Sequence, residues 1–261
     1  KKYEVTMITN KTGYILMLDV LGYREFVTKT KSDFPRLWRE LQENIKKQRD
    51  VIFKELNGSV IVDVLFVSDT IFIGVSTIDK NKQLEGLTIM FLIDLVKQIF
   101  KFSLKNNVFF RGAISFGEYL FDLRLNLVMG NAVDEASEWY ESTDWFGVIL
   151  TPTAEYKYNS TILSEDEPQI INFCMRNIVR YPRIPYKAKL QSEKCSFLVV
   201  KWFDAYTKDE DRLGFLKQIM DAFSTAKQSP KVASKYENTF HFIMFYAYPE
   251  GFSIYKRLNN S

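Results

Sequence analysis

Tyr14-Ile15-Leu16-Met17-Leu18 is an apolar run with no polar interruption, and it stops at Asp19. A continuous run cannot alternate between core and water, so the segment Tyr14–Val20 reads as a strand buried on both faces. A second stretch repeats the design: Phe66-Val67, then Ser68-Asp69, then Thr70-Ile71-Phe72-Ile73-Gly74. Each stretch leaves one aspartate at the end of a β-like run. A carboxylate placed there stands on the rim of a sheet, where its oxygens can hold a hard cation. Two such carboxylates, one beside a glycine turn at Gly22, point to a metal–triphosphate site.

The remaining elements fall into an alternating order. Residues 1–13 are polar and end in the turn signal Asn10-Lys11-Thr12-Gly13. A helix is predicted over Phe34–Leu56, capped by Ser32 or Asp33, with Pro35 in its first turn and Leu37, Trp38, Leu41 and Ile45 on one face. Val60–Val67 and Thr70–Val75 read as a hairpin with Ser68-Asp69 at its tip. A second helix covers Leu84–Lys105. A strand over Val108–Phe116 is expected to end at Gly117, with Tyr119–Val128 as a further hairpin arm. A helix from Gly130-Asn131 to Glu141, a short strand Phe146–Leu150 and a helix from Thr151-Pro152 follow. The polar stretch 159–169 is expected to be a surface loop. Residues 170–203 add strands, and 208–247 are helical with Leu213, Leu216, Ile219, Met220 and Phe223 on one face. That order is a split β-α-β arrangement, an α+β sandwich with helices on one sheet face. The organisation expected is a catalytic unit over 1–203 and a helical C-terminal extension, 204–261, packed on the same domain.

Composition narrows the classes. With 46% hydrophobic and 15% aromatic residues in 261, the chain can bury a sizeable core. A net charge of +3 lacks the basic stripe of a nucleic-acid binder, so no nucleic-acid partner is expected. Leu84–Leu104 is interrupted by Asp94, Lys97 and Lys101, which makes it a soluble helix and not a membrane span. No signal-peptide core follows Lys1-Lys2-Tyr3-Glu4, and the expected compartment is the cytoplasm, with Cys174 and Cys195 as reduced thiols. The single histidine, His241, lies among Phe240, Phe242 and Phe245 and reads as a packed helix residue. Neither a P-loop nor a Gly-x-Gly-x-x-Gly motif occurs.

Taken together, the motifs resemble those of the class III nucleotidyl cyclases. Leu18-Asp19-Val20-Leu21-Gly22-Tyr23 resembles their first metal motif, and Val67-Ser68-Asp69-Thr70 the second. Arg111-Gly112-Ala113-Ile114-Ser115-Phe116-Gly117-Glu118 resembles their arginine–glycine strand, and Gly130–Glu138 their glycine-led dimer helix in spacing. Pro185-Tyr186-Lys187, followed by Val199-Val200-Lys201-Trp202, is similar to a late segment of one bacterial branch. That branch contains the pyrimidine cyclases of the Pycsar anti-phage system. The resemblance spans residues 14–203 and implies the ferredoxin-like, palm-type sandwich of these enzymes.

Two departures refine it. Class III cyclases usually carry an asparagine and an arginine four residues apart on the dimer helix; here the positions hold Asp134 and Glu138. Another cation must then take that part. The two positions that read a purine are Leu65 and Leu127, and an apolar pair cannot match a purine's donor–acceptor edge. The resemblance thus implies a homodimer with shared active sites that cyclises UTP or CTP to the 3′,5′-cyclic monophosphate and pyrophosphate with Mn²⁺ or Mg²⁺. Asp19 and Asp69 would hold the metal, with the Val20 carbonyl as a further ligand. Leu21, Gly22 and Tyr23 would turn amides toward the phosphates, and Arg111 and Lys187 would bring charge. Arg111 pairing with Glu118 is the structural alternative. The product would act on a separate effector protein in anti-phage defence. Two other readings stay open: an adenylate or guanylate cyclase with an atypical base pocket, and a catalytically degenerate domain that binds nucleotide.

Overall fold

The computed structural model describes residues 10–21, 33–79, 81–187, 196–203, 209–225 and 230–247. Gly22, Tyr23, Ser32 and Cys195, and the side chains of Leu213 and Leu216, lie outside the described residues. The elements run β1 (Lys11–Val20), α1 (Phe34–Glu55), β2 (Val60–Val67), β3 (Thr70–Thr77), α2 (Lys82–Asn106), β4 (Phe110–Asp122), β5 (Leu127–Met129) and α3 (Asn131–Ser142). They continue with β6 (Gly147–Leu150), α4 (Pro152–Ser164), α5 (Pro168–Asn177), β7 (Ile178–Tyr181), β8 (Phe197–Val200), α6 (Asp209–Thr225) and α7 (Pro230–Ala247). This is an α+β fold around one eight-stranded sheet. Its order is β2-β3-β1-β4-β6-β8-β7, with β5 paired to β4.

β1 is central because its apolar run needs cover on both faces. It pairs antiparallel with β3 and with β4. Strand alternation then sorts the side chains. Leu16, Leu18, Phe110 and Phe66 share one face, where Trp38 of α1 meets the Phe66 and Phe110 rings. Asp19, Met17, Arg111, Ser115 and Leu65 share the other, where the Ser115 hydroxyl donates to the Ala132 carbonyl of α3. The helices are therefore not confined to one face as the sequence suggests: α3 lies across the face opposite α1.

Local signals set several boundaries. Asn81 caps α2 by accepting from the Gln83 amide at 2.9 Å, and Asn107 ends it in a left-handed conformation, φ 54°. Asp33 precedes α1 without a side-chain cap, although its carbonyl accepts from the Leu37 amide at 2.9 Å.

Other expectations need correction. β1 begins at Lys11, inside the expected turn, because Lys11–Gly13 pair with Gly117–Tyr119 and Lys11 forms a 2.6 Å ion pair with Asp63. β4 does not stop at Gly117 but continues to Asp122. Its later part bends over β3: a Cβ on Gly74 would lie 2.8 Å from the Tyr119 ring and 3.0 Å from the Phe121 ring. The stretch 159–169 is mostly helix, leaving only 165–167 between α4 and α5, because Ala154, Tyr158 and Thr161 are buried at helical spacing along α4. Residues 168–177 are likewise helix α5 and not strand, with Pro168 in the first turn. On α6, Ile219 and Phe223 are buried with Phe215 and Ala222, whereas Met220 is 59% exposed and leaves the expected face.

Packing is dominated by aromatic rings where α6 and α7 meet the sheet. Phe146 stacks on Phe100 at 4.4 Å and meets Trp202 edge-on at 4.8 Å. Phe242 of α7 sits between Trp145, Tyr181 and Phe203. Cys174 is a free, fully buried thiol whose pKa is pushed up to about 12 by burial, then by the Glu165 carboxylate. No helix among the described residues is long and apolar enough to cross a membrane.

Candidate functional site

The end of β1 is held from both sides. The Val20 amide donates to the Asp69 carbonyl at 3.1 Å, and the Leu21 amide to the Phe109 carbonyl at 2.7 Å. This ties the strand end to the β2–β3 tip and to the start of β4. Ser68 takes φ 55°, the left-handed geometry that lets a two-residue turn reverse the chain and place Asp69 beside β1. Asp19 lies opposite Thr70 on one neighbour and Arg111 on the other. Close strand approach is built in: a Cβ on Gly112 would come within 2.5 Å of the Leu18 side chain and the Met17 carbonyl.

Arg111 uses this register. Its Nε and Nη2 both donate to Asp19 Oδ2, at 3.1 and 3.0 Å, and each side chain is only 14% exposed. The guanidinium also lies 5.0 Å from the ring centre of Tyr140 on α3. The sequence alternative, a pair with Glu118, is not formed. Glu118 lies opposite Thr12, seven residues further along β4.

Burial raises the Asp19 pKa above the usual carboxylate value. Arg111 opposes this by charge and by hydrogen bonding, the Asp69 charge adds to the rise, and Lys235 of α7 lowers it. Two carboxylates at adjoining strand ends, one of them bonded to Arg111, form a set of oxygens that could hold a cation. The Tyr140 hydroxyl is pushed up to about 12 by burial and by the Asp19 and Glu141 charges, so it stays neutral at physiological pH.

The residues singled out in the sequence divide into groups. Asp19, Val20, Leu21, Asp69 and Arg111 come together on one rim. Leu65 is on the Asp19 face, opposite Phe72, which lies opposite Met17, and it is 5% exposed. Leu127 is half-buried on β5, in the arm that bends over the same face. Lys187 is exposed, and its amide donates to the Ser142 carbonyl at 2.9 Å at the end of α3. Asp134 and Glu138 are both exposed on α3, one turn apart.

For a metal, the chemistry of the donors fits. Two carboxylates and the Val20 carbonyl offer hard oxygen ligands where the end of β1 meets the β2–β3 tip. Among the described residues no group of three or more His, Cys, Asp or Glu gathers to hold an ion. The set therefore suits an ion that shares its shell with solvent or substrate oxygens, as Mg²⁺ commonly does. Arg111 on Asp19 is the competitor that such an ion would meet.

Three residues near the rim escaped the sequence reading. Tyr140 had a signal, the buried 132, 133, 136, 140 spacing of α3. Asp144 and Lys235 had none: the Asp144 amide donates to the Pro185 carbonyl at 2.8 Å, and Lys235 comes to Asp144 through the docking of α7.

No protein-family model matches the chain, and no curated protein matches it in sequence. Among solved structures it is similar to the monomeric guanylyl cyclase domain of the RhoGC fusion protein from the aquatic fungus Blastocladiella emersonii. Identity there is 12%, with 75% of this chain and 98% of that one covered and a TM-score of 0.43. The catalytic core of a rhodopsin–guanylyl cyclase with converted specificity, in complex with ATPαS, gives 12% identity, the same coverage and a TM-score of 0.44. A bacterial light-regulated adenylyl cyclase gives 12%, 84% of this chain, 59% of that one and 0.42. These likenesses are slight, and the functional reading rests on the chain's own residues.

Proposed function

We propose that the chain is a metal-dependent nucleotidyl cyclase that converts a pyrimidine nucleoside triphosphate, UTP or CTP, to its 3′,5′-cyclic monophosphate. The observation that carries this is the Asp19–Asp69 pair, set on one rim by the Val20–Asp69 backbone bond, with Arg111 bonded to Asp19. In the reaction the ribose 3′-oxygen bonds to the α-phosphorus, its proton passes to solvent, and pyrophosphate leaves with the electrons of the broken P–O bond. Such chemistry depends on positioning and charge neutralisation more than on a nucleophilic side chain. A divalent ion, Mn²⁺ or Mg²⁺, when bound by Asp19 and Asp69, would supply charge to the attacking and leaving oxygens.

Arg111 holds Asp19 in place and is a cation within reach of a bound triphosphate. Of the two positions set against a base, Leu65 is buried on the Asp19 face and Leu127 is half-buried, and neither carries a side-chain donor or acceptor, which suits a base read by shape. Asp134 and Glu138 face outward on α3, as residues of a helix that meets a second subunit would. The reading therefore includes a homodimer with sites shared between subunits, a division into residues 1–203 and a C-terminal extension, and a product that signals to a separate effector in anti-phage defence.

Two exposed acids on α3 and an arginine seated on Asp19 favour one other reading, a nucleotide-binding domain without turnover. The test is to incubate the chain with each of the four ribonucleoside triphosphates and Mn²⁺ and to separate the products by chromatography. Cyclic UMP or CMP, lost in both Asp19→Ala and Asp69→Ala, is expected. Cyclic AMP or GMP as the main product overturns the base assignment, and binding without product selects the inactive reading.

A further inference from the structure

Arg111 has two holds, and they differ in kind. Its Nε and Nη2 both donate to Asp19 Oδ2, at 3.1 and 3.0 Å, and its Cζ stands over the Tyr140 ring, 5.0 Å from the centre. Among the described residues the guanidinium bonds to no other side chain, and Asp19 Oδ1 accepts no hydrogen bond. A guanidinium carries five N–H donors, so most of its capacity is left for a further anion. The arginine is also mostly covered, with a side chain 14% exposed. Taking away its one carboxylate would leave a covered charge unpaired, which is costly.

The Tyr140 ring is set by its helix and not by its hydroxyl. The hydroxyl donates to Glu141 Oε1 at 3.3 Å, long for an O–H donor, and Glu141 is exposed. The backbone of α3 is pinned instead. The Ser115 hydroxyl donates to the Ala132 carbonyl, the Thr153 amide and hydroxyl donate to Glu135, and the Thr143 hydroxyl donates to the Tyr140 carbonyl at 3.1 Å. The Lys187 amide closes the end of the helix on the Ser142 carbonyl at 2.9 Å. Tyr140 itself is buried, on the same face as Ala132, Val133 and Ala136. The ring is therefore a fixed π face against a cation that otherwise depends on Asp19 alone.

We infer that Tyr140 is a positioning residue for Arg111: it keeps the guanidinium on the rim when Asp19 serves a divalent ion, and so presents the unused donors to a triphosphate. Asp19 Oδ2 cannot serve Arg111 and an ion in full at once. Arg111 is thus the resident cation of the Asp19 seat in the metal-free chain. Phosphate oxygens, which a guanidinium matches as well as it matches a carboxylate, replace the partner it gives up. The ring adds nothing to the hold on the ion itself. The inference rests on the metal and triphosphate of the proposed function, but binding tests it without turnover.

The test is two titrations of the full chain at one mildly alkaline pH. The first uses Mn²⁺ alone, followed by electron paramagnetic resonance; the second uses inorganic tripolyphosphate in Mn²⁺, followed by calorimetry. The variants are Tyr140→Leu, Tyr140→Phe and Arg111→Met, with Tyr140→Met replacing Tyr140→Leu should that chain not fold. Tyr140→Leu should hold Mn²⁺ within about twofold of wild type and bind tripolyphosphate about fivefold more weakly, the scale of one covered cation–π contact. Tyr140→Phe keeps the ring and should restore most of that loss. Arg111→Met frees the Asp19 oxygen, so it should bind Mn²⁺ alone about tenfold more tightly and tripolyphosphate more weakly. A ring needed only for packing would weaken both titrations alike in Tyr140→Leu, and that outcome overturns the inference. So does full tripolyphosphate binding in Tyr140→Leu, a Tyr140→Phe variant no better than Tyr140→Leu, or an Arg111→Met variant that gains no Mn²⁺ affinity. The expected binding pattern with no cyclic product from any of the four ribonucleoside triphosphates upholds Tyr140 and sinks the cyclase reading. Cyclic product with full tripolyphosphate binding in Tyr140→Leu does the reverse, and a wild-type chain that binds neither probe overturns both.

Discussion

On one side of the start of β4, Arg111 reaches Asp19 through two hydrogen bonds to a single oxygen, within a set of charges that includes Asp69. On the other side, Phe109 meets Phe146, Phe223 and Tyr236, and the rings continue through Phe100 and Trp202. Phe110 alone separates Phe109 from Arg111 in sequence, and the two regions hold the same strand end by different physics. The charged side is specified by register: a shift of one residue would turn Arg111 and Asp19 to opposite faces. The aromatic side is specified by volume and is non-directional, so it sets how firmly the rim is held but not which groups stand on it. A site of this kind needs both. Directional contacts aim the groups, and a dense core keeps the strand ends from moving.

Breaking the aromatic side should have the largest effect. Phe146→Ala removes a fully buried ring that touches Phe100, Phe109 and Trp202 and should cost about 3–5 kcal/mol. Denaturant unfolding measures it, and a loss under about 1 kcal/mol would mean that this cluster does not hold the rim. Asp69→Asn is the counterpart on the charged side. Asp69 is half-buried at a turn, so the fold should survive with a melting temperature near that of wild type. Turnover should fall by about 10²-fold or more, the scale of losing a group that stabilises transition-state charge. Equal turnover in wild type and variant would remove Asp69 from the site.

The two sides also differ in how far the sequence discloses them. The strand β1, the β2–β3 hairpin and α2 are legible because their signals are local: apolar continuity, a two-residue tip and a long run of apolar helix formers. Asp19 and Asp69 are legible for the same reason, since each ends a run. The Arg111–Asp19 pair is not, because it joins residues 92 apart through a register that no local pattern encodes. Lys11–Gly13 read as a turn for lack of the Gly117–Tyr119 partner strand, and Gly117 read as a stop although it packs beside Ala132 at the α3 surface. The 159–169 stretch hid a helix because its buried positions, Thr161 and Glu165, are themselves polar. Lys235 meets Asp144 only through the docking of α7, which rings spread over more than a hundred residues decide.

A pH profile sharpens the charged side further. Because the folded pKa of Asp19 is raised, mainly by burial, the carboxylate is lost at a higher pH than an ordinary aspartate as the solution is acidified. Mn²⁺ affinity should therefore fall off above the usual carboxylate range. Arg111 holds that pKa down, so Arg111→Ala should move the acid limb to still higher pH, and Arg111→Lys should move it less. Titrating Mn²⁺ binding across pH for the three proteins checks the order. An acid limb that does not move in Arg111→Ala would show that the pair does not set the charge of Asp19.

The smallest effect separates faces of one helix. Ile219 and Met220 are neighbours on α6 and both are apolar, so sequence alone treats them alike. Ile219 is fully buried, whereas Met220 is 59% exposed. Ile219→Ala should cost about 2–5 kcal/mol as a core truncation, and Met220→Lys should stay within about 0.5 kcal/mol. Both numbers come from one unfolding experiment on the whole chain. The difference between them measures whether α6 is docked through the Phe215–Ile219–Phe223 face, which also carries the Phe223 contact to Phe109 and Tyr236. Equal, small losses would mean that α6 is not packed there. The aromatic support of the rim would then end at Phe146 and Trp202, and Lys235 would lose one of the contacts that place its helix.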